Sequence, residues 1–141
     1  MINKVLFSHN KDDYITPDWL IEDLKKEFDI KLDVCTTKYN PLNIPKFFWY
    51  PYCDGLYTDW ETWSFCNPPY SQVNKWVFKA FVEKIKGNNT VMLLPARTDT
   101  RWFHHYIYNK PNVEIRFIRG RLKFKDTKNS APFPSMIVIF W

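Results

Sequence analysis

Apolar residues recur at helical spacing behind Thr16-Pro17, at Leu20, Leu24 and Phe28. A hydroxyl followed by proline starts a helix well, so the pattern predicts a helix capped by Thr16 and running to about Phe28. IKLDV at 30–34 follows as a short strand. From Thr36 to Trp63 the chain is rich in Pro, Tyr and Trp without a clean period, and reads as loops with short elements. A strand ending in Phe65-Cys66 then enters Asn67-Pro68-Pro69-Tyr70. Ser71 is placed to cap a helix over about 72–86, with Val73, Val77, Ala80, Phe81 and Ile85 on one face and Gly87 behind it. TVMLLPA at 90–96 is a continuous apolar run suited to a central buried strand. A further helix from Asp99 or Thr100 to about Asn109 buries Trp102, Phe103, Tyr106 and Ile107. Two strands close the chain, VEIRFI running on toward LKF, then SMIVIF, with the loop DTKNSAPFP between them.

Helices alternating with strands, then a terminal strand pair, indicate an α/β fold with a sheet covered by helices on both faces. Ligands in such sheets bind outside the carboxyl ends of the strands, and Asp33, Asn67 and Arg97 are expected at or just past such ends.

Composition narrows the class. With 141 residues, 45% hydrophobic and 19% aromatic, the chain is long and apolar enough for one folded domain with a real core. No apolar run approaches the ~20 residues of a membrane span, and MINKVLFSHNKDD lacks the long apolar stretch of a signal peptide, so a cytoplasmic protein is expected. Cys35, Cys53 and Cys66 form no C-x-x-C pair and read as small buried thiols, with no disulfide framework and no metal site. His104 and His105 have no third ligand nearby and read as surface or packing residues.

Lys and Arg number 20 against 15 Asp and Glu, a net charge of +5 that permits a polyanionic partner. From Arg97 onward the balance is strongly basic, through Arg101, Lys110, Arg116, Arg119, Arg121, Lys123, Lys125 and Lys128. A solvated face with no ligand is the competing reading of that charge. Arg97 and Arg101 follow the LLP strand at the ligand edge, where phosphate contacts compete with ordinary helix capping by Asp99 or Thr100.

The chemistry lies in Asn67-Pro68-Pro69-Tyr70. Proline cannot donate to a ladder and fixes its own φ, so Pro68 and Pro69 stop the strand and stiffen the turn that carries Asn67 and Tyr70. The Asn67 side-chain oxygen and the Pro68 carbonyl offer two acceptors to the two N–H bonds of a planar amine, and Tyr70 offers a flat face for stacking. An amine held so has its nitrogen lone pair released from conjugation and becomes nucleophilic without a strong base. Read alone, Asn-Pro-Pro is also ordinary turn chemistry.

NPPY looks like the catalytic motif of amino-group methyltransferases. The ordered set FCNPPYSQVNKWVFKA, VMLLPARTDTRWFH, IRFIRGRLKF and APFPSMIVIF, with TPDWLIEDLKKEFDIKLDVCTT upstream and DGL at 54–56, resembles the phage-type DNA N6-adenine methyltransferase family over roughly 12–141. The resemblance implies a single-domain, Rossmann-like S-adenosylmethionine-dependent fold over residues 12–141 behind an N-terminal segment 1–11. Its sheet is mostly parallel with a C-terminal antiparallel strand pair. It implies methyl transfer to N6 of a flipped-out adenine in DNA by Asn67, Pro68, Pro69 and Tyr70, in a restriction-modification or related setting in a phage host's cytoplasm. Cofactor contacts carry over to Thr16 and Pro17 for the methionine part, to Asp33 in LDVC, to Asp54 in DGL and to Asn67. DNA contacts are expected from Arg97, Arg101, Arg119, Arg121 and Lys123. One departure is that LDVCTTKYN holds no glycine, where many methyltransferases have a glycine-rich loop. Two other functions stand beside this one: methylation of a protein glutamine amide, another planar amine, and a catalytically silent nucleic-acid-binding relative.

Overall fold

Successive residues of the central strands point into two separate apolar layers. In TVMLLP, Met92 and Leu94 face one cluster while Val91 and Leu93 face the other; in SMIVIF, Met136, Val138 and Phe140 oppose Ile137 and Ile139 in the same way. A strand buried on both faces has no polar side, and that explains the unbroken apolar runs. The computed structural model describes residues 14–37, 40–52 and 54–141; the segment 1–11 and the Cys53 thiol lie outside the described residues.

Strands β1 (Leu32–Thr36), β2 (Lys46–Trp49), β3 (Ser64–Cys66), β4 (Thr90–Pro95), β5 (Val113–Phe117) and β6 (Ser135–Phe140) form a six-stranded sheet in the order β2-β1-β3-β4-β6-β5. β1 pairs in parallel with β2 and β3, and β3 with β4, whereas β6 runs antiparallel to β4 and β5. Only β6 opposes the common direction, so the carboxyl ends of the other strands share one edge. Helix α1 (Asp18–Glu27) covers one face with Leu20, Ile21 and Leu24; α2 (Val73–Ile85) and α3 (Arg101–Tyr106) cover the other with Val73, Trp76, Val77, Ala80 and Phe103. The expected α/β architecture, with helices on both faces and a terminal antiparallel pair, is therefore the observed one. Trp76 is fully buried, and its truncation to Ala is expected to cost about 3–5 kcal/mol.

Several local expectations are corrected. Thr16 does not cap α1: Pro17 holds the N-cap position without a side-chain bond, because the Thr16 hydroxyl is engaged elsewhere. Ser71 is not a cap either, since a 3-10 turn at Tyr70–Gln72 precedes α2. Ile85, expected on the buried face, is 71% exposed at the end of α2, while Glu83 is buried in its stead. The strand expected at 30–34 runs two residues later, and β2 was hidden in the aperiodic stretch. β5 stops at Phe117 and does not continue to LKF; Lys125, just behind LKF, makes an isolated antiparallel bridge to Ile15. Gly120, at φ 75, turns the chain between them.

Glu83 ties α2 to the loop before β3. Its carboxylate accepts from the Trp60 backbone N–H (3.0 Å), Asn88 Nδ2 (3.0 Å), Lys79 Nζ (2.9 Å) and Lys86 Nζ (3.0 Å). Burial alone would raise its pKa, but these partners outweigh it and hold the group at about 2. Loop and helix are thus fixed on either side of the Asn67 turn.

Candidate active site

β1 and β3 are neighbours whose onward connections diverge, β1 leading outward to β2 and β3 inward to β4. That is a topological switch point, where parallel α/β sheets open a crevice. A small, half-open cleft lies there, and Thr16, Asp33, Thr36, Thr37, Asn67 and Pro69 are among its lining residues.

Asn67 follows β3 directly, and its amide orientation is defined by its partners. Nδ2 donates to the Tyr14 carbonyl (2.5 Å) and to Thr16 Oγ1 (3.1 Å). The Tyr14 carbonyl can only accept, so the amide nitrogen must face it. Oδ1 is left buried with no hydrogen-bond partner among the described residues. A buried acceptor without a donor costs about 1–3 kcal/mol, a cost that a bound N–H group removes.

Tyr70 belongs to a cluster of four rings. Tyr14 stacks on it with centroids 5.1 Å apart and planes at 25°, while Phe133 (5.1 Å, 68°) and Phe124 (6.3 Å, 76°) meet it edge-on. One face expected for base stacking is thus covered by Tyr14. The Tyr70 hydroxyl is buried without a partner among the described residues, and burial, with Tyr14 beside it, pushes its pKa well up, so it stays a phenol. Pro68 and Pro69 are buried, and Pro69 at φ −62 leads into the 3-10 turn.

Asp33 is the second residue of β1 and not its end, paired across the sheet with Phe47 and Phe65. It is 2% exposed, with Oδ1 accepting from the Cys35 backbone N–H at 3.2 Å. Burial pushes its carboxyl up to about 7, against the hydrogen bonds from Cys35 and Thr36. Pro17 is buried behind Thr16 but does not line the cleft. Asp54 does not line it either: its Oδ1 accepts from Leu56 N–H (2.9 Å) and caps the 3-10 turn Gly55–Tyr57. The glycine of DGL has its own reason, because a Cβ on Gly55 would lie 2.2 Å from the Val34 carbonyl oxygen of β1.

The glycine-free connection after β1 turns on asparagine instead. Asn40 (φ 41) and Asn43 (φ 50) take left-handed conformations, and Asn40 Nδ2 donates to the Ile44 carbonyl (3.0 Å).

Register places the basic residues. Pro95 pairs with Ser135 and Phe117 with Met136, so the chain after β4 and the chain after β5 emerge at the Asn67 edge. Arg97, Arg101, Arg119, Arg121 and Lys123 are all exposed there or in the loop that follows. Arg116 and Lys125 are spoken for, by Glu27 and Glu114 and by Asp18 respectively. His104 and His105 are exposed, and no group of three or more His, Cys, Asp or Glu among the described residues could hold a metal ion. Sequence reading missed Tyr14, Phe124 and Phe133, which come together only through the loop after β5 and the bridge from Lys125 to Ile15.

The Asn-Pro-Pro-Tyr turn therefore stands at the switch-point edge of an open, mostly parallel sheet. Comparison with protein families matches residues 4–141 to DNA N-6-adenine-methyltransferase (Dam), and the chain belongs to that family. Among curated proteins it is similar to a DNA N-6-adenine-methyltransferase of Haemophilus phage HP1 (strain HP1c1), 31% identical over an alignment 141 positions long that covers 93% of this chain and 79% of that protein. The class of activity is accordingly that of an adenine-specific DNA methyltransferase.

Proposed function

We propose that the chain transfers a methyl group from S-adenosylmethionine to N6 of an adenine extruded from DNA. The observation that carries this reading is Asn67: its amide is fixed by two donated hydrogen bonds, and its buried Oδ1 waits without a donor. One N–H of the exocyclic amine satisfies that oxygen, and the Pro68 carbonyl, next in the same turn, is assigned the other. When bound, S-adenosylmethionine supplies an electrophilic methyl group on a positively charged sulfur. Such a cation suits the cleft, because the Asp33 carboxyl on its lining is pushed up by burial and has no cationic partner among the described residues. A positive charge beside it favours the carboxylate.

The residues of this chain mainly position. Asn67 polarises the amine and aims its lone pair; as N6 gains its bond to the methyl carbon, the bond from that carbon to sulfur breaks, the sulfur leaves as a neutral thioether, and the surplus proton on N6 leaves to water. No basic side chain is required at the amine. Extruding the base costs a few kcal/mol, and stacking on an aromatic ring returns about 1–3 kcal/mol. A base stacked on Tyr70 either displaces the Tyr14 ring or uses the opposite face. Arg97, Arg101, Arg119, Arg121 and Lys123 supply phosphate contacts along the catalytic edge. The name of the phage relative, a DNA N-6-adenine-methyltransferase, supports action on DNA; the setting we assign is a host cytoplasm.

The test is Asn67→Ala, assayed for adenine methylation at saturating DNA beside a thermal melt and a cofactor titration. The variant is expected to fold and bind cofactor but to lose nearly all turnover. Most of the turnover surviving would contradict the assignment.

A further inference from the structure

Thr16 was expected as a helix cap and, by resemblance, as a contact to the methionine part of the cofactor. Its hydroxyl does not cap the helix and is engaged by Asn67 instead. Thr16 is 1% exposed, α1 is capped without it, and Oγ1 accepts from Asn67 Nδ2 at 3.1 Å. The segment that carries it is held on both sides: Lys125 N–H donates to the Ile15 carbonyl (2.9 Å), Lys125 Nζ reaches Asp18 (3.3 Å), and the Tyr14 carbonyl takes the second Asn67 proton. An amide whose two N–H bonds are both occupied can present only its oxygen to a substrate.

We propose that Thr16 is a positioning residue for the Asn67 amide, acting on the orientation of the amine acceptor and not on cofactor affinity. The inference rests on the methyl-transfer reading above. With the hydroxyl gone, Asn67 keeps only its bond to the Tyr14 carbonyl, and its amide plane is free to rock about that single tether, so that Oδ1 loses its fixed aim at the amine. The step that suffers is the one in which the amine is aligned, so kcat falls while cofactor binding persists.

The experiment compares Thr16→Val and Thr16→Ser with the wild type. Turnover and cofactor affinity are measured separately, together with hydrogen exchange of the Asn67 side-chain amide by NMR. For Thr16→Val, kcat is expected to drop about tenfold, the scale of one net hydrogen bond, with cofactor Kd unchanged and faster exchange of the Asn67 Nδ2 protons. Thr16→Ser, which restores an acceptor, is expected to recover both kcat and exchange. Weaker cofactor binding with kcat intact would make Thr16 a cofactor contact and overturn the proposal, as would unchanged exchange and turnover in Thr16→Val. If the wild type itself leaves adenine unmodified, the methyl-transfer reading falls, and the exchange measurement still decides whether Thr16 orients Asn67.

Discussion

Replacing Asp33 with Asn should stabilise the ligand-free protein at neutral pH while weakening its hold on a cationic cofactor. The carboxyl is 2% exposed and burial raises its pKa to about 7, against about 3.8 for an ordinary aspartate. An acid with a raised folded-state pKa binds its proton more tightly when folded. Its folded state is therefore favoured at low pH and loses stability as pH rises between the two values, levelling off above about 7. Each pH unit in that window is worth about 1.4 kcal/mol, so between pH 5 and pH 8 the wild type loses about 2–3 kcal/mol through this one group. Asn cannot titrate and should show none of that loss. Urea unfolding of both proteins at pH 5, 6, 7 and 8 measures the difference directly. A cofactor titration at pH 6, run in buffers of different ionisation heat, should show close to one proton released by the wild type and none by the variant. Parallel stability profiles for the two proteins would refute the raised pKa. A matching profile difference with unchanged cofactor affinity would leave Asp33 buried but remove it from the cofactor site.

Glu83→Ala strands the Trp60 N–H, Asn88 and Lys79 together, and thermal or urea unfolding should register a loss of about 3–5 kcal/mol, as for a broken buried ion pair. Gly55→Ala forces a Cβ against the Val34 carbonyl and should destabilise β1 and weaken cofactor binding together, read by melting and titration on the same sample. Tyr70→Phe removes a buried hydroxyl that has no partner among the described residues and should leave stability equal or higher, whereas Tyr70→Ala should weaken binding of DNA with an extrudable adenine by about 1–3 kcal/mol. Arg121→Ala, if the residue neutralises one phosphate, should weaken all DNA sequences alike and reduce the slope of log K against log salt by about one. Arg116→Ala, already paired with Glu27 and Glu114, should leave that slope unchanged.

What could be read from the sequence is what local physics decides. TVMLLP and SMIVIF are apolar throughout because both faces are covered, and Asn67-Pro68-Pro69-Tyr70 announces a stiff turn by its prolines alone. β2 escaped because KFFW is an edge strand whose Lys46, Phe47 and Trp49 are exposed, so burial imposes no alternation on it. Thr16 misled because Thr-Pro has the local form of a helix start, and only a residue 51 positions away claims its hydroxyl. Asp54-Gly55 reads as a turn in any sequence, and the close approach of β1 that requires the glycine is a tertiary fact. The ring cluster around Tyr70 draws Tyr14, Phe124 and Phe133 from both ends of the chain, beyond any window of periodicity.

The most direct measurement of the central claim is nucleoside mass spectrometry after incubating the wild type and Asn67→Ala with methyl-labelled S-adenosylmethionine and adenine-containing duplex DNA, with a glutamine-containing protein fraction in a parallel reaction. Label is expected in N6-methyladenine with the wild type, almost none with Asn67→Ala, and none in protein. Unmodified adenine alongside labelled protein glutamine, or equal labelling of adenine by both proteins, would contradict it.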